Sequence, residues 1–396
     1  MHQRASDRPG LQPPPGSPRF PGLDGVRGLT ALAVVSVHGL VAGIALSAHP
    51  AWVHLVFTLR IWLPLFFFLS GFLLYRPYVA ARARGKSRQS TTTFWWRRVL
   101  RLIPGYWVGL TLLAIWPGLT GVFSHDFWKY YGFVWIYNRR TIFNGLIPAW
   151  TLCVDVVFYI ALPFYAMAIE RGVRRLTRRQ AINAEFAVLA TIAAISTLYW
   201  VRYLGDSHLS RAGLELRKSS PIANLDWIAI GMAFAILTVA DSDGPTLLHR
   251  LMARRWAVPL SWLAAVVGFL LMARWIFVIS LPLQHVLSGV VCVFVFAPAV
   301  LAGTHASTRA VLANAAASWL GLISYGIYMY HGPLMTKLYG WVEPGSHGFL
   351  PWAVLIAVGI AASIALGAAS YYLVELPFLR QKYRPGLAAL PGRKRT

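Results

Sequence analysis

The chain has 396 residues, 57% of them hydrophobic and 13% charged, with a formal net charge of +24. A soluble globular domain carries roughly a quarter charged residues, so the composition excludes that class. Two cysteines, and histidines that never recur at helical spacing within an apolar run, exclude a disulfide scaffold and any recognisable metal-ligand pattern.

Residues 1–22 are Pro-rich, polar and basic, and are expected to be a disordered tail. They lack the short apolar core and cleavage site of a signal peptide. Apolar stretches long enough to cross a hydrocarbon layer then recur near 27–46, 54–75, 99–117, 149–169, 185–203, 222–240, 256–279, 284–302, 318–339 and 351–374. The expected fold is all-α: a polytopic transmembrane helical bundle of about ten spans. It forms one domain, 23–380, followed by a basic tail, 381–396, with no room for a further domain.

Twenty-five of the lysines and arginines fall in the two tails and the alternate loops 76–98, 170–184, 241–255 and 303–317. That asymmetry places both termini in the cytoplasm. The charge is topological, with attraction to anionic membrane lipid as a second effect, and nucleic acid is not an expected partner.

In the first span, LDGVRGLTALAVVSVHG sets His38 eleven residues after Arg27. Eleven helical residues close almost a whole number of turns, so the two share a face, roughly 16 Å apart. Arg27 is near enough to one end to snorkel to the headgroups, whereas His38 is not. A neutral imidazole there suits a general base on a hydroxyl, and its structural alternative is a satisfied core histidine.

The segment FWWRRVLRLIPGYW follows. Arg98 and Arg101 are one helical turn apart, with Arg97 beside them, and guanidinium groups in that register suit phosphates. A positive-inside anchor is the structural alternative. In PAWTLCVDVVFYIALPF, Asp155 lies a third of the way into a span and needs a partner, for which His38, Arg60 and Arg274 are available. Thr151 and Tyr159 lie one turn either side of it. In WLGLISYGIYMYHGPL, Ser324, Tyr328 and His331 fall at i, i+4 and i+7 and form a polar stripe suited to a wet cavity. Glu375, in YYLVELPFLR, sits at the end of the last span before a Pro expected to stop the helix, and nearby arginines are its expected partners.

Six segments, in this order, resemble the acyltransferase 3 family of integral membrane acyltransferases. They are LDGVRG…H at Arg27–His38, FFFLSGFLL around Ser70, RRVLRLIP at 97–104, WTLCVDVVFYIALP at 150–163, SYGIYMYHGP at 324–333 and ELPF at 375–378. The resemblance implies a ten-helix membrane domain that transfers an acyl group from acyl-CoA to a hydroxyl, usually on a carbohydrate. It also implies a catalytic His38 with Arg27 beneath it, and CoA contact at Arg98 and Arg101. One departure stands out: where the family usually has glutamate followed by a second acid, this chain has Asp155–Val156.

The combined expectation is a bacterial plasma-membrane O-acyltransferase for acetyl or another short acyl group. His38 and Asp155 form its catalytic pair, and Arg27, Arg97, Arg98 and Arg101 hold acyl-CoA. Ser70, Trp150, Ser324, Tyr325, Tyr328, His331 and Glu375 are the candidates for substrate binding or oxyanion stabilisation. Acyl-CoA is a co-substrate, with no permanently bound cofactor and no metal. The acceptor would be a glycan, a glycolipid or a sugar-bearing small molecule, met through the loops 118–148 and 204–221. The alternative from another class is a transporter or flippase of lipid-linked sugars.

Overall fold

The computed structural model describes residues 20–47, 54, 58–205, 209–241, 244–303, 305–341 and 349–381, and among these there is no β-strand. The outer parts of both tails lie outside the described residues. Ten long helices dominate: α1 Pro21–Ser47, α2 Pro64–Ala83, α3 Thr91–Leu113, α4 Trp150–Val173, α5 Arg178–Leu204, α6 Leu225–Ala240, α7 Ala257–Trp275, α8 Leu281–Leu301, α9 Ala315–Trp341 and α10 Phe349–Ser370.

The helices α2 to α8 and α10, some with short extensions, make eight that are long and apolar enough to cross a membrane. The remaining two expected spans are α1 and α9, each 27 residues long. That length is about 40 Å, more than a hydrocarbon layer of about 30 Å requires. The chain is an all-α polytopic membrane protein.

Local sequence explains where the helices begin. Pro21 opens α1 and Asp24 sits in its first turn, where unpaired N–H groups favour an acid. Ser90 caps α3 by accepting the Thr93 N–H at 3.2 Å. Thr177 and Gln180 form a capping box on α5.

In a bilayer, apolar burial does not drive helices together, so close backbone approach matters more. Gly71 of α2 lies on the backbone of Ile228, and Gly231 of α6 lies on the backbone of Phe68. A Cβ at either position would overlap a carbonyl oxygen. The same device joins α1 to α9, where Gly321 lies against the backbone of Asp24 and Gly28 against Leu320 and Gly321. Around these crossings Phe296 of α8 meets Phe68, Phe72 and Phe234 edge-on, with ring centroids 5.5, 5.9 and 5.4 Å away.

Polar groups inside the bundle are grouped. Glu185 of α5 binds the Tyr75 hydroxyl and Arg82 of α2. Asp226 of α6 binds His285 at 2.7 Å and accepts from Ser196 at 3.0 Å. The His285 ring is stacked between Trp200 and Trp227.

Two expectations need revision. The segment 118–148, read as a loop that meets the acceptor, is a folded cap: Tyr130, Trp135, Ile136 and Leu146 are buried, and the Tyr106 hydroxyl donates to the Tyr130 carbonyl at 2.9 Å. Gly121 and Gly145, at φ +85° and +66°, press on the Tyr130 ring, where any side chain would collide. In the cap's short helix Phe127–Tyr131, the Lys129 ammonium holds the Asp126 carboxyl below the usual carboxylate range. The second revision concerns Pro377, which does not stop the last span. A π-turn, Tyr371–Glu375, leads directly into a short helix, Leu376–Gln381. Pro377 falls in the first turn of that helix, where its missing N–H is least disruptive.

The α2–α6 crossing should tolerate no bulk. Gly231→Val is expected to lower the thermal midpoint in detergent, by about 1–3 kcal/mol of overpacking. Gly172→Val, at a position with open space around it, should leave the midpoint near wild type. Equal midpoints for the two variants would refute the backbone-contact account.

Candidate active site

Five helices, α1, α2, α3, α4 and α9, converge on an interior cavity of about 160 Å³. At the end of the bundle where α2 stops and α3 begins, its wall carries Arg27, Arg98 and Arg101. Farther in it carries Ser70, Asp155, Tyr159, Ser324 and Tyr325, and then Thr151 and Tyr328. Helical periodicity brings these groups to one place. Thr151, Asp155 and Tyr159 are spaced four apart on α4, as are Ser324 and Tyr328 on α9.

The arginines are held in fixed surroundings. Arg101 Nη1 bonds Glu375 Oε2 at 3.2 Å, and its guanidinium lies 5.8 Å from the centre of the Tyr325 ring. The Glu375 side chain is fully buried, because the π-turn directs it inward against α3. Arg27 pairs with Asp24 at 3.4 Å, and Arg98 lies over the Phe94 ring.

Asp155 faces Ser70 and Tyr159, and Arg98 supplies the neighbouring positive charge. Its buried Oδ1 has no hydrogen-bond partner among the described residues. Of the partners suggested by the sequence, Arg274 lies over the Trp275 ring, Arg60 is exposed, and His38 turns its Nδ1 to Val34 and His331. This face of α4 meets α2 and α3.

The hydroxyls of α9 are already engaged. Tyr328 O–H donates to the Pro148 carbonyl, so it accepts from Thr151 Oγ1, 2.7 Å away. Ser324 donates to Gly321 O at 2.8 Å, and Tyr325 donates to Leu102 O at 2.9 Å.

At the Tyr328 end of the cavity, α1 and α9 bring two histidines together. His38 Nδ1 and His331 Nε2 are 3.2 Å apart, with the rings edge to face. His331 is fully buried and His38 is partly so. The Tyr328 ring, which lines the cavity, is 5.6 Å from that of His331.

Of the residues singled out from the sequence, Arg27, Ser70, Arg98, Arg101, Asp155, Ser324, Tyr325 and Tyr328 line the cavity. Glu375 reaches it through Arg101, and His38 and His331 adjoin it through Tyr328. Trp150 packs its ring 6.1 Å from Phe67, and Arg97 is outside the lining. The histidine pairing was invisible in the sequence, since 293 positions separate the partners. Each stood out only as a polar residue within an apolar helix. No group of three or more metal-ligating side chains occurs among the described residues.

Fold and cavity together define a polytopic membrane protein with a basic, hydroxyl-lined interior site. The model of the acyltransferase 3 family, described as an acyltransferase domain, matches residues 20–371, and the chain belongs to that family. It is 22% identical over 392 residues to YrhL of Bacillus subtilis, covering 92% of this chain and 56% of that protein. It is likewise 22% identical over 403 residues to the peptidoglycan O-acetyltransferase OatA of Listeria monocytogenes, with the same coverage of 92% and 56%. The acyltransferase MdmB of Streptomyces mycarofaciens is 31% identical over 182 residues, 41% of this chain and 43% of MdmB. The chain thus spans about half the length of these curated relatives. No solved structure matches it.

The Arg101–Glu375 pair gives a stability test. Arg101→Met strips a buried carboxylate of its cation, which should cost about 3–5 kcal/mol, whereas removing both charges should cost less. Thermal unfolding in nanodiscs should therefore rank the double variant Arg101→Met/Glu375→Leu above the single one. The reverse order would show that the pair is not what holds Glu375.

Proposed function

We propose that the protein is a membrane O-acyltransferase. It moves a short acyl group, such as acetyl, from acyl-CoA to a hydroxyl of a carbohydrate-bearing acceptor, with His38 as the general base. The observation that carries this reading is the cavity itself, which has guanidinium groups at one end and a histidine pair adjoining the other. Both termini lie in the cytoplasm, as the charge asymmetry favours, so the arginine end faces the cytosol. The membrane is a bacterial plasma membrane, in keeping with the organisms of the named relatives.

Acyl-CoA is a cytosolic polyanion carrying a thioester at the end of a long, thin arm. Arg27, Arg98 and Arg101, with Arg97 beside them, bind its phosphates, and guanidinium groups suit that task better than ammonium groups. The arm extends along the cavity towards His38. There His38 takes the acceptor's hydroxyl proton as the oxygen attacks the thioester carbon. The carbon–sulfur bond then breaks, and the departing thiolate recovers that proton from His38. Ester and free CoA are the products.

The developing oxyanion needs a donor. Ser324, Tyr325 and Tyr328 give their protons to backbone carbonyls, and Ser70 gives its own to Asp155; Ser70 serves as the donor by turning that proton from the carboxylate to the oxyanion, while Arg98 keeps Asp155 balanced. Asp155 orients Ser70 and balances Arg98 rather than moving a proton itself. The chemistry needs no permanently bound cofactor.

A short acyl group fits the packing beside His38. The space at the next residue, Gly39, is filled by the thioether tip of Met335, which also rests on Gly359. A glycan, glycolipid or sugar-bearing small molecule is the acceptor class in keeping with OatA, a peptidoglycan O-acetyltransferase. The cap 118–148 and the segment 204–221 are the surfaces for it to approach.

The test is acceptor-stimulated CoA release by the protein in nanodiscs, with acetyl-CoA and a panel of sugars. His38→Ala should lower turnover by about 10²–10⁴-fold. Wild-type protein that is folded yet consumes no acyl-CoA would favour a flippase of lipid-linked sugars instead. Met335→Ala should shift the preference towards longer acyl thioesters in the same assay. An unchanged chain-length profile would remove Met335 from the acyl site.

A further inference from the structure

We infer that His331 is a positioning residue that, together with the Val34 carbonyl, holds His38 in one tautomer and leaves His38 Nε2 as the basic atom. The tautomer follows from hydrogen bonds alone, and only the use of the free nitrogen rests on the acyl-transfer reading.

The assignment runs inward from two backbone carbonyls, which can only accept. His331 Nδ1 is 2.7 Å from the Tyr328 carbonyl, so Nδ1 of His331 carries the hydrogen. His38 Nδ1 is 3.0 Å from the Val34 carbonyl, so Nδ1 of His38 carries one too. In a neutral His331 the other nitrogen, Nε2, is a lone pair, and it sits 3.2 Å from His38 Nδ1. One N–H of His38 is thus shared between the Val34 carbonyl and His331 Nε2.

Every alternative loses something. Turning the His38 ring over would put Cδ2 where Nδ1 stands and forfeit both contacts. Moving the His38 proton to Nε2 would set the Nδ1 lone pair against a carbonyl oxygen and a second imidazole lone pair. A doubly protonated His331 would be a cation with no exposure, and neither of its nitrogens meets a carboxylate.

With both hydrogens on Nδ1, His38 Nε2 holds the only lone pair in the dyad not engaged within it. When that atom takes the acceptor's proton, the ring becomes an imidazolium. Its Nδ1–H bond to His331 then becomes charge-assisted and strengthens as the transition state is approached. His331 touches no reacting atom. It orients the base, the task a buried carboxylate performs in a Ser-His-Asp triad. Here a neutral ring does it, without placing an anion in the membrane interior.

The experiment is ¹⁵N magnetic resonance of the full-length protein labelled at histidine, in nanodiscs, with His38→Ala assigning the His38 signals among the eleven histidines. It is paired with kcat and KM for acetyl-CoA in wild type, His331→Leu and His331→Gln. Wild-type His38 should show a protonated Nδ1 and a bare Nε2. His331→Leu leaves the Val34 carbonyl as the remaining acceptor for His38 Nδ1, so it should admit a measurable share of the Nε2–H tautomer and lower kcat by about 10–100-fold, the worth of one hydrogen bond to a charged group. KM for acetyl-CoA should be nearly unchanged. His331→Gln, whose amide oxygen can accept from His38 Nδ1, should restore part of both signals.

A wild-type His38 protonated on Nε2 overturns the inference, as does wild-type kcat in His331→Leu. If His331→Leu fails to fold, the wild-type spectrum and the glutamine variant still decide. The expected tautomer in a protein that turns over no acyl-CoA would leave the assignment standing and remove the acyl-transfer reading.

Discussion

A charged or hydrogen-bonding group in a hydrocarbon layer has no water to fall back on, so its partner must come from another part of the bundle. Much of the architecture follows from that requirement. Arg101 of α3 meets Glu375 beyond α10, Glu185 of α5 meets Arg82 of α2, and Asp226 of α6 meets His285 of α8. Each bond fixes the relative rotation of two helices, because a turn of either would strand a polar group. The glycine crossings make such bonds possible. Gly71 and Gly231 let two backbones touch, and on the same pair of helices Arg76 of α2 donates to Thr238 of α6 at 3.0 Å.

The candidate site grows out of the same rule. α9 packs against both α1 and α10, and its polar stripe is satisfied in three directions. Ser324 bonds within the helix, Tyr325 reaches α3 and Tyr328 reaches the start of α4. The stripe therefore joins the arginine half of the site to the histidine half. Hydroxyls that look catalytic in sequence spend their protons on carbonyls, and their contribution is to hold the walls of the cavity in register. Asp155 is different, because one of its buried oxygens has no hydrogen-bond partner among the described residues. An unfilled acceptor beside a cavity is costly in a finished structure and useful in one that awaits a hydroxyl.

How much of this was legible in the sequence depends on the range of the interaction. Span positions follow from length and hydropathy, which are local. The shared face of Arg27 and His38, and the stripe on α9, follow from a 3.6-residue period, which is local as well. Partners are not local. Asp155 announced its need for a cation, but which cation depended on how α4 is rotated against α3, and Arg98 lies on the face that α3 presents. The folded cap was missed because its core is irregular, built from short turns around Tyr130 and lacking any period to detect. Pro377 misled for a related reason. Proline is a stop signal only where its N–H would have been needed, and the π-turn before it moves it into the first turn of a new helix.

Charge and basicity are segregated along the cavity. All three lining guanidinium groups lie towards one end, and the histidine pair at the other end has no carboxylate hydrogen-bonded to it among the described residues. An imidazole flanked by an arginine would be hard to protonate, and one flanked by an acid would add a second buried ion whenever it was neutral. Separating His38 from the cations by the length of the cavity avoids the first problem, and pairing it with a neutral imidazole avoids the second. A slender substrate with anionic groups at one end and a reactive carbonyl at the other matches that separation. Matching it takes no motion of the charged groups, only a channel wide enough for the arm between them.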